Sequence, residues 1–147
     1  MILPRGITGF WGTDTAPPPH LDEKAFCQMC YSIAMENGGT VAELDTDTYP
    51  RNFYSFQIRR HDNAIYILQN VHYPYAAFVQ RDAFGGFVLT GQPEWLRLPI
   101  GSVHFLSLAE LNRDRSGLCG ELSPEELDQI RYWNPQTVGE IIFNTWD

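Results

Sequence analysis

A chain of 147 residues with a formal net charge of −8 falls in the size range of one domain. Its 44% hydrophobic and 14% aromatic content excludes a disordered chain. Surface scaling leaves roughly 7,700 Å² exposed out of about 24,000 Å², enough burial for a core without disulfide or metal staples. The acidic balance excludes binding of nucleic acid by phosphate neutralisation, which needs a basic face. Lys24 is the only lysine and Arg59-Arg60 the only adjacent arginine pair.

No stretch approaches the ~18 uninterrupted apolar residues of a membrane span. Met1–Gly6 shows no basic segment leading into an apolar run, so no secretory signal is expected. The three cysteines, Cys27, Cys30 and Cys119, suit a reducing compartment better than a disulfide framework. The expected location is the cytoplasm.

Residues 1–20 read as an irregular arm, with Gly6, Gly9 and Gly12 among Ile7, Phe10 and Trp11 and closed by Pro17-Pro18-Pro19. A helix is predicted over Leu21–Glu36, because Phe26, Met29, Cys30 and Ile33 recur at three- and four-residue spacing. Asp22 and Glu23 suit its first turn, and Gly38-Gly39 its end. From about Thr40 to Leu106 the chain reads as short strands. Tyr54, Phe56 and Ile58 alternate with polar residues over Phe53–Arg60, the period of a half-buried strand. Asp62-Asn63 is the expected hairpin turn into a return strand at Ile65–Val71. Further strands are expected at Tyr75–Arg81, Phe84–Thr90, Trp95–Leu98 and Ser102–Leu106. Connections this short imply an antiparallel meander.

The last third carries three capping-box patterns, Ser107-x-x-Glu110, Ser123-x-x-Glu126 and Thr137-x-x-Glu140. Pro124 stands at a first helical position, where its missing N–H costs nothing. The expected fold is α+β: one domain over 1–147, an antiparallel β-meander with an N-terminal helix and short C-terminal helices, the helices covering one sheet face.

Chemistry-bearing motifs are few. Cys27-x-x-Cys30 lies in mid-helix beside Phe26 and Met29, where buried structural cysteines outweigh a redox pair. Asn112–Gly117 imitates the start of a calcium loop, but Ser123 stands where a bidentate glutamate is needed, so a polar turn is expected. His20, His61, His72 and His104 show no ligand spacing, and His61 and His72 are expected at the surface. Gly6-x-x-Gly9-x-x-Gly12 lacks the strand–turn–helix setting of a phosphate loop. No metal, cofactor or catalytic residue is expected.

Trp133 and Trp146 are expected to bury and dock the last helices, with an exposed aromatic patch as the rival reading. The segments Leu122-Ser123-Pro124-Glu125-Glu126-Leu127, Tyr132-Trp133-Asn134-Pro135 and Gly139–Asp147 resemble the tails of small bacterial immunity proteins from polymorphic-toxin and contact-dependent inhibition loci. That resemblance covers the last quarter of the chain, together with the general style of its N-terminus. It implies a cytoplasmic protein that neutralises a toxin by direct binding.

Three functions are therefore in play. The first is a non-catalytic acidic inhibitor whose negative face meets a basic toxin domain. Local charge density marks Asp45, Asp47, Glu121, Glu125, Glu126 and Asp128 as its partner-binding residues. The second is a small enzyme with a non-contiguous site. The third is a small-ligand-binding or accessory subunit. Oligomeric state is open.

Overall fold

A computed structural model describes residues 1–147. Helix α1 spans Glu23–Glu36, and strands β1 to β6 are Thr40–Asp45, Phe53–Arg60, Asn63–Asn70, Tyr75–Arg81, Phe87–Thr90 and His104–Phe105. Helices α2 (Leu108–Leu111), α3 (Pro124–Trp133) and α4 (Val138–Ile142) follow. Strands β1–β5 lie side by side in chain order, each antiparallel to its neighbour. The protein is α+β, with the expected meander, N-terminal helix and short C-terminal helices. No helix is long and apolar enough to cross a membrane.

Local chemistry sets the element ends. Asp22 is the N-cap of α1, its extended backbone outside the helix and its side chain accepting from Lys24 N at 3.1 Å. The β2–β3 turn falls one residue earlier than expected, at His61-Asp62, because Arg60 pairs with Asn63 and His61 takes the positive φ. Strand β5 begins at Phe87, not Phe84. The Asp82 carboxylate accepts from Phe84 N and Gly86 N, both at 2.8 Å, and holds those residues in a turn.

The expected strand at Trp95–Leu98 does not form. Asn37, at the end of α1, donates to Arg97 O at 2.9 Å and accepts from Arg97 N at 2.7 Å, which satisfies that backbone without a sheet partner. Strand β6 is only two residues long and runs parallel to β4, pairing Tyr75 with His104 and Ala76 with Phe105.

The helices divide between the two faces of the sheet, where a single covered face was expected. Alternation explains the division. Ile65 and Ile67 of β3 join Tyr54, Phe56, Ile58 and Phe78 beneath α1. Tyr66 and Leu68 point the other way and join Phe53, Ala77 and Val79 with Leu111, Ile130, Ile141 and Ile142 of the C-terminal helices. A strand apolar at successive positions must be buried on both sides. The arm belongs to this second layer: Leu3 and Ile7 are fully buried in it, and Leu3 N donates to Leu118 O at 2.9 Å.

Candidate functional site

The second layer is tied together by polar groups far apart in sequence. Glu126 has no exposed surface. Its carboxylate accepts from Gly6 N at 2.8 Å, Thr8 N at 3.2 Å and the Thr8 hydroxyl, and from Ser123 N at 3.1 Å and Ser123 Oγ at 3.2 Å. Gly6 and Gly9 sit at φ +91° and +87°, the conformation that lets successive N–H groups of a loop converge on an anion. The glycine loop therefore does cradle an anion, and the anion is the protein's own side chain.

Three buried asparagines complete the tie. Asn52 Nδ2 and Asn70 Nδ2 each donate to Ile7 O and Ile142 O, at 2.8–3.0 Å. Asn144 N donates to Asn52 Oδ1 at 2.8 Å, and Asn144 Nδ2 donates to Thr8 O at 3.1 Å and Ile141 O at 3.0 Å. The arm, β2, β3 and the last helix meet at this knot.

Above it opens a cleft of about 360 Å³, lined by Thr8–Trp11 of the arm, His20, Thr48–Asn52, Val71, His72, Trp146 and Asp147. One wall is a row of rings set edge to face: Trp11 on His72 at 5.9 Å, His72 on His20 at 5.9 Å, and His20 on Tyr54 at 6.4 Å. His72 is buried, not at the surface as expected. Its Nδ1 lies 2.8 Å from Pro19 O; a carbonyl only accepts, so Nδ1 carries the proton and Nε2 keeps its lone pair. Burial also pushes the His72 pKa down, so the neutral ring is favoured.

The opposite wall is formed by residues 48–52 of the β1–β2 connection. Tyr49 is exposed and donates its hydroxyl to Asp147 Oδ1 at 2.8 Å, and that carboxylate pushes the phenol pKa up. Arg51 is fully engaged. It pairs with Asp45 Oδ2 at 3.0 Å, donates to the carbonyls of Asp47 and Asp45, and lies over the Phe53 ring at 5.0 Å.

The six acidic residues singled out from charge density separate into distinct settings. Asp45 and Asp47 are exposed and lie outside the cleft lining, just before Thr48, where their side chains shape the loop by accepting from Asp47 N and Tyr49 N. Glu125 is exposed and abuts Gly12, next to Trp11; a Cβ on Gly12 would lie 2.3 Å from Glu125 Oε1. Glu125 thus lies against the arm but outside the lining of the cleft. Glu121 and Asp128 are exposed and line no part of it; Asp128 pairs with Arg131 one helical turn on. Glu126 is withdrawn from any contact surface, since its carboxylate is buried and its partners are internal.

Other motifs resolve into structure. Burial pushes the Cys30 thiol well above the ordinary range, and Cys119 upward too. Asp114 accepts from Ser116 N at 2.7 Å and Gly117 takes φ +76°, making the polar turn expected there. No group of three or more His, Cys, Asp or Glu side chains is placed to hold a metal. Trp146 is buried, while its stacking partner Trp133, at 6.4 Å and 3°, is 41% exposed and Tyr132 78%.

The residues that sequence reasoning missed are Thr8, Trp11, His20, Tyr49, Asn52, Asn70, His72 and Asn144. One signal was available: Ser123-x-x-Glu126 reads as a capping box, so Glu126 already had work inside the fold. No family model, curated protein or solved structure matches this chain.

Proposed function

We propose that this protein is a non-catalytic inhibitor that neutralises a basic protein partner by direct contact, as bacterial immunity proteins do, and that the arm–loop cleft is the centre of the contact. The observation that carries the reading is an aromatic cleft lined by Trp11, His20, Tyr49, His72 and Trp146 and edged by the carboxylate of Asp147. Exposed Asp45 and Asp47 stand just before the lining residue Thr48 in sequence, and exposed Glu125 abuts Gly12, next to Trp11. An arginine or lysine entering there meets ring faces and carboxylates together, the combination that favours a desolvated cation. A net charge of −8 speeds encounter with a basic surface.

The test is co-expression with the reading frame adjacent to this one in its own genome. The neighbour alone should arrest growth, the pair should not, and Asp47→Lys with Glu125→Lys should weaken the rescue. A harmless neighbour, or undiminished rescue by a folded double variant, contradicts the reading.

A specific observation also favours catalysis in the same cleft: the open Nε2 lone pair of His72 suits a general base. His72→Asn separates the two readings. The asparagine amide can still donate to Pro19 O, so binding should persist, whereas catalysis should be lost with the lone pair.

A further inference from the structure

The ring wall of the arm–loop cleft holds two titratable rings in contact. His72 and His20 meet edge to face with centroids 5.9 Å apart, and Trp11 packs on His72 at the same distance. Each histidine has committed Nδ1 to a main-chain carbonyl, His72 to Pro19 at 2.8 Å and His20 to Leu21 at 3.1 Å. An added proton therefore goes to Nε2. On His72 that atom lies 4.0 Å from where a Cβ on Gly9 would stand, and it has no hydrogen-bond partner in the protein.

The surroundings decide what that proton costs. His72 is 7% exposed, so a charge on its ring is poorly solvated. His20 opposes the charge, while Glu126, beneath the glycine loop, favours it. The other charged or titratable groups of the lining are Arg51, paired with Asp45, and Asp147 with its donor Tyr49. Burial prevails, so the ring stays neutral to a pH below its ordinary 6.5 and takes up the proton only beneath that.

A guanidinium laid on Trp11, within the ~6 Å reach of a cation–ring contact, stands beside His72. We propose that His72, with His20 against it, makes the cleft acid-sensitive: neutral, it receives an arginine of the partner, and protonated at Nε2 it expels that arginine. The inference rests on the cation-binding reading of the cleft. Like charges at this range repel, and linkage requires the converse, that a bound guanidinium make His72 harder to protonate.

N-acetyl-arginine amide is the probe, and N-acetyl-citrulline amide, its uncharged isostere, is the control. In NMR titrations of the full chain from about pH 7.5 to about pH 5, His72 ring signals report protonation and the Trp11 and Trp146 indoles report binding. The arginine probe should bind roughly tenfold more weakly once His72 is protonated. Saturating probe should move the His72 midpoint to lower pH. His72→Asn should hold the arginine affinity level across the range, and citrulline affinity should be level in both proteins. An arginine probe that leaves Trp11 unmoved at about pH 7.5 sinks the reading of the cleft and this inference with it. Three results overturn the switch alone: arginine binding that stays constant while His72 titrates, a His72 that stays neutral to about pH 5, or a pH slope that survives in folded His72→Asn.

Discussion

The two faces of the sheet are held in different ways. Beneath α1, Phe26, Ile33, Tyr54, Phe56 and Ile67 are all but fully buried and hold mainly by apolar packing, with the Tyr54 hydroxyl donating to Leu21 O at 3.1 Å and Asn37 strapping Arg97 at the helix end. Beneath the C-terminal helices an apolar cluster is also present, but Glu126, Asn52, Asn70 and Asn144 hold the arm to it by hydrogen bonds to backbone groups up to 136 residues away. Apolar packing is non-directional and tolerates adjustment. A buried polar network specifies one arrangement and fails sharply when a member is lost. The cleft stands on the second kind of foundation, so its geometry is set by the knot beneath it.

That contrast can be broken by two deletions of similar size. Glu126→Ala strands the N–H groups of Gly6, Thr8 and Ser123 and should cost about 3–5 kcal/mol. Phe26→Ala should also cost about 3–5 kcal/mol, from lost burial and a cavity. Hydrogen exchange distinguishes them: Glu126→Ala should release the arm at Gly6 and Thr8 before global unfolding, and Phe26→Ala should not. Equal protection of the arm in both variants would erase the distinction between the faces.

Asn52→Ala should cost somewhat less, about 2–4 kcal/mol by denaturant unfolding, since it removes two donated bonds and the acceptor for Asn144 N.

A pH effect should follow from His72. Its folded pKa is depressed below the ordinary 6.5 by burial, so between the two values the unfolded chain binds the proton and the folded chain does not. The His72 contribution should be full above pH 6.5 and fall as pH drops from there toward the folded value. His72→Asn should flatten that slope in urea midpoints measured across the range. Smallest of all, Asp47→Lys and Glu125→Lys should each move stability by no more than about 0.5 kcal/mol, because both side chains are exposed.

How much of this was legible follows the same division. Period-two alternation in β2 and three–four spacing in α1 are local signals that located the α1 face, but β2 is not the half-buried strand expected, because Ser55 and Gln57 on its other face are buried as well. The capping boxes at Ser107 and Ser123 form as read. The Thr137 pattern forms by half, because Glu140 turns instead to Gln136 N at 2.7 Å. What stayed hidden depends on partners remote in sequence. The Ser123-x-x-Glu126 spacing sets Glu126 apart as a capping residue, but nothing near it in sequence says that it is sealed beneath the glycine loop while Glu125 stays exposed beside Gly12. His72 beside Tyr73-Pro74 looks like a surface turn until Pro19 and Trp11 close over it. The parallel pairing of β6 and the strapping of Arg97 to Asn37 are likewise tertiary choices that no window of sequence contains.

The most direct measurement of the central proposal is the association rate of the purified chain with the product of the adjacent reading frame, at low and high salt. Wild type should associate fast at low salt and slow steeply as salt rises. The Asp47→Lys, Glu125→Lys pair should associate about tenfold more slowly at low salt, with the gap closing as screening increases. Identical rate constants for the two proteins across that range would mean that these carboxylates take no part in the contact.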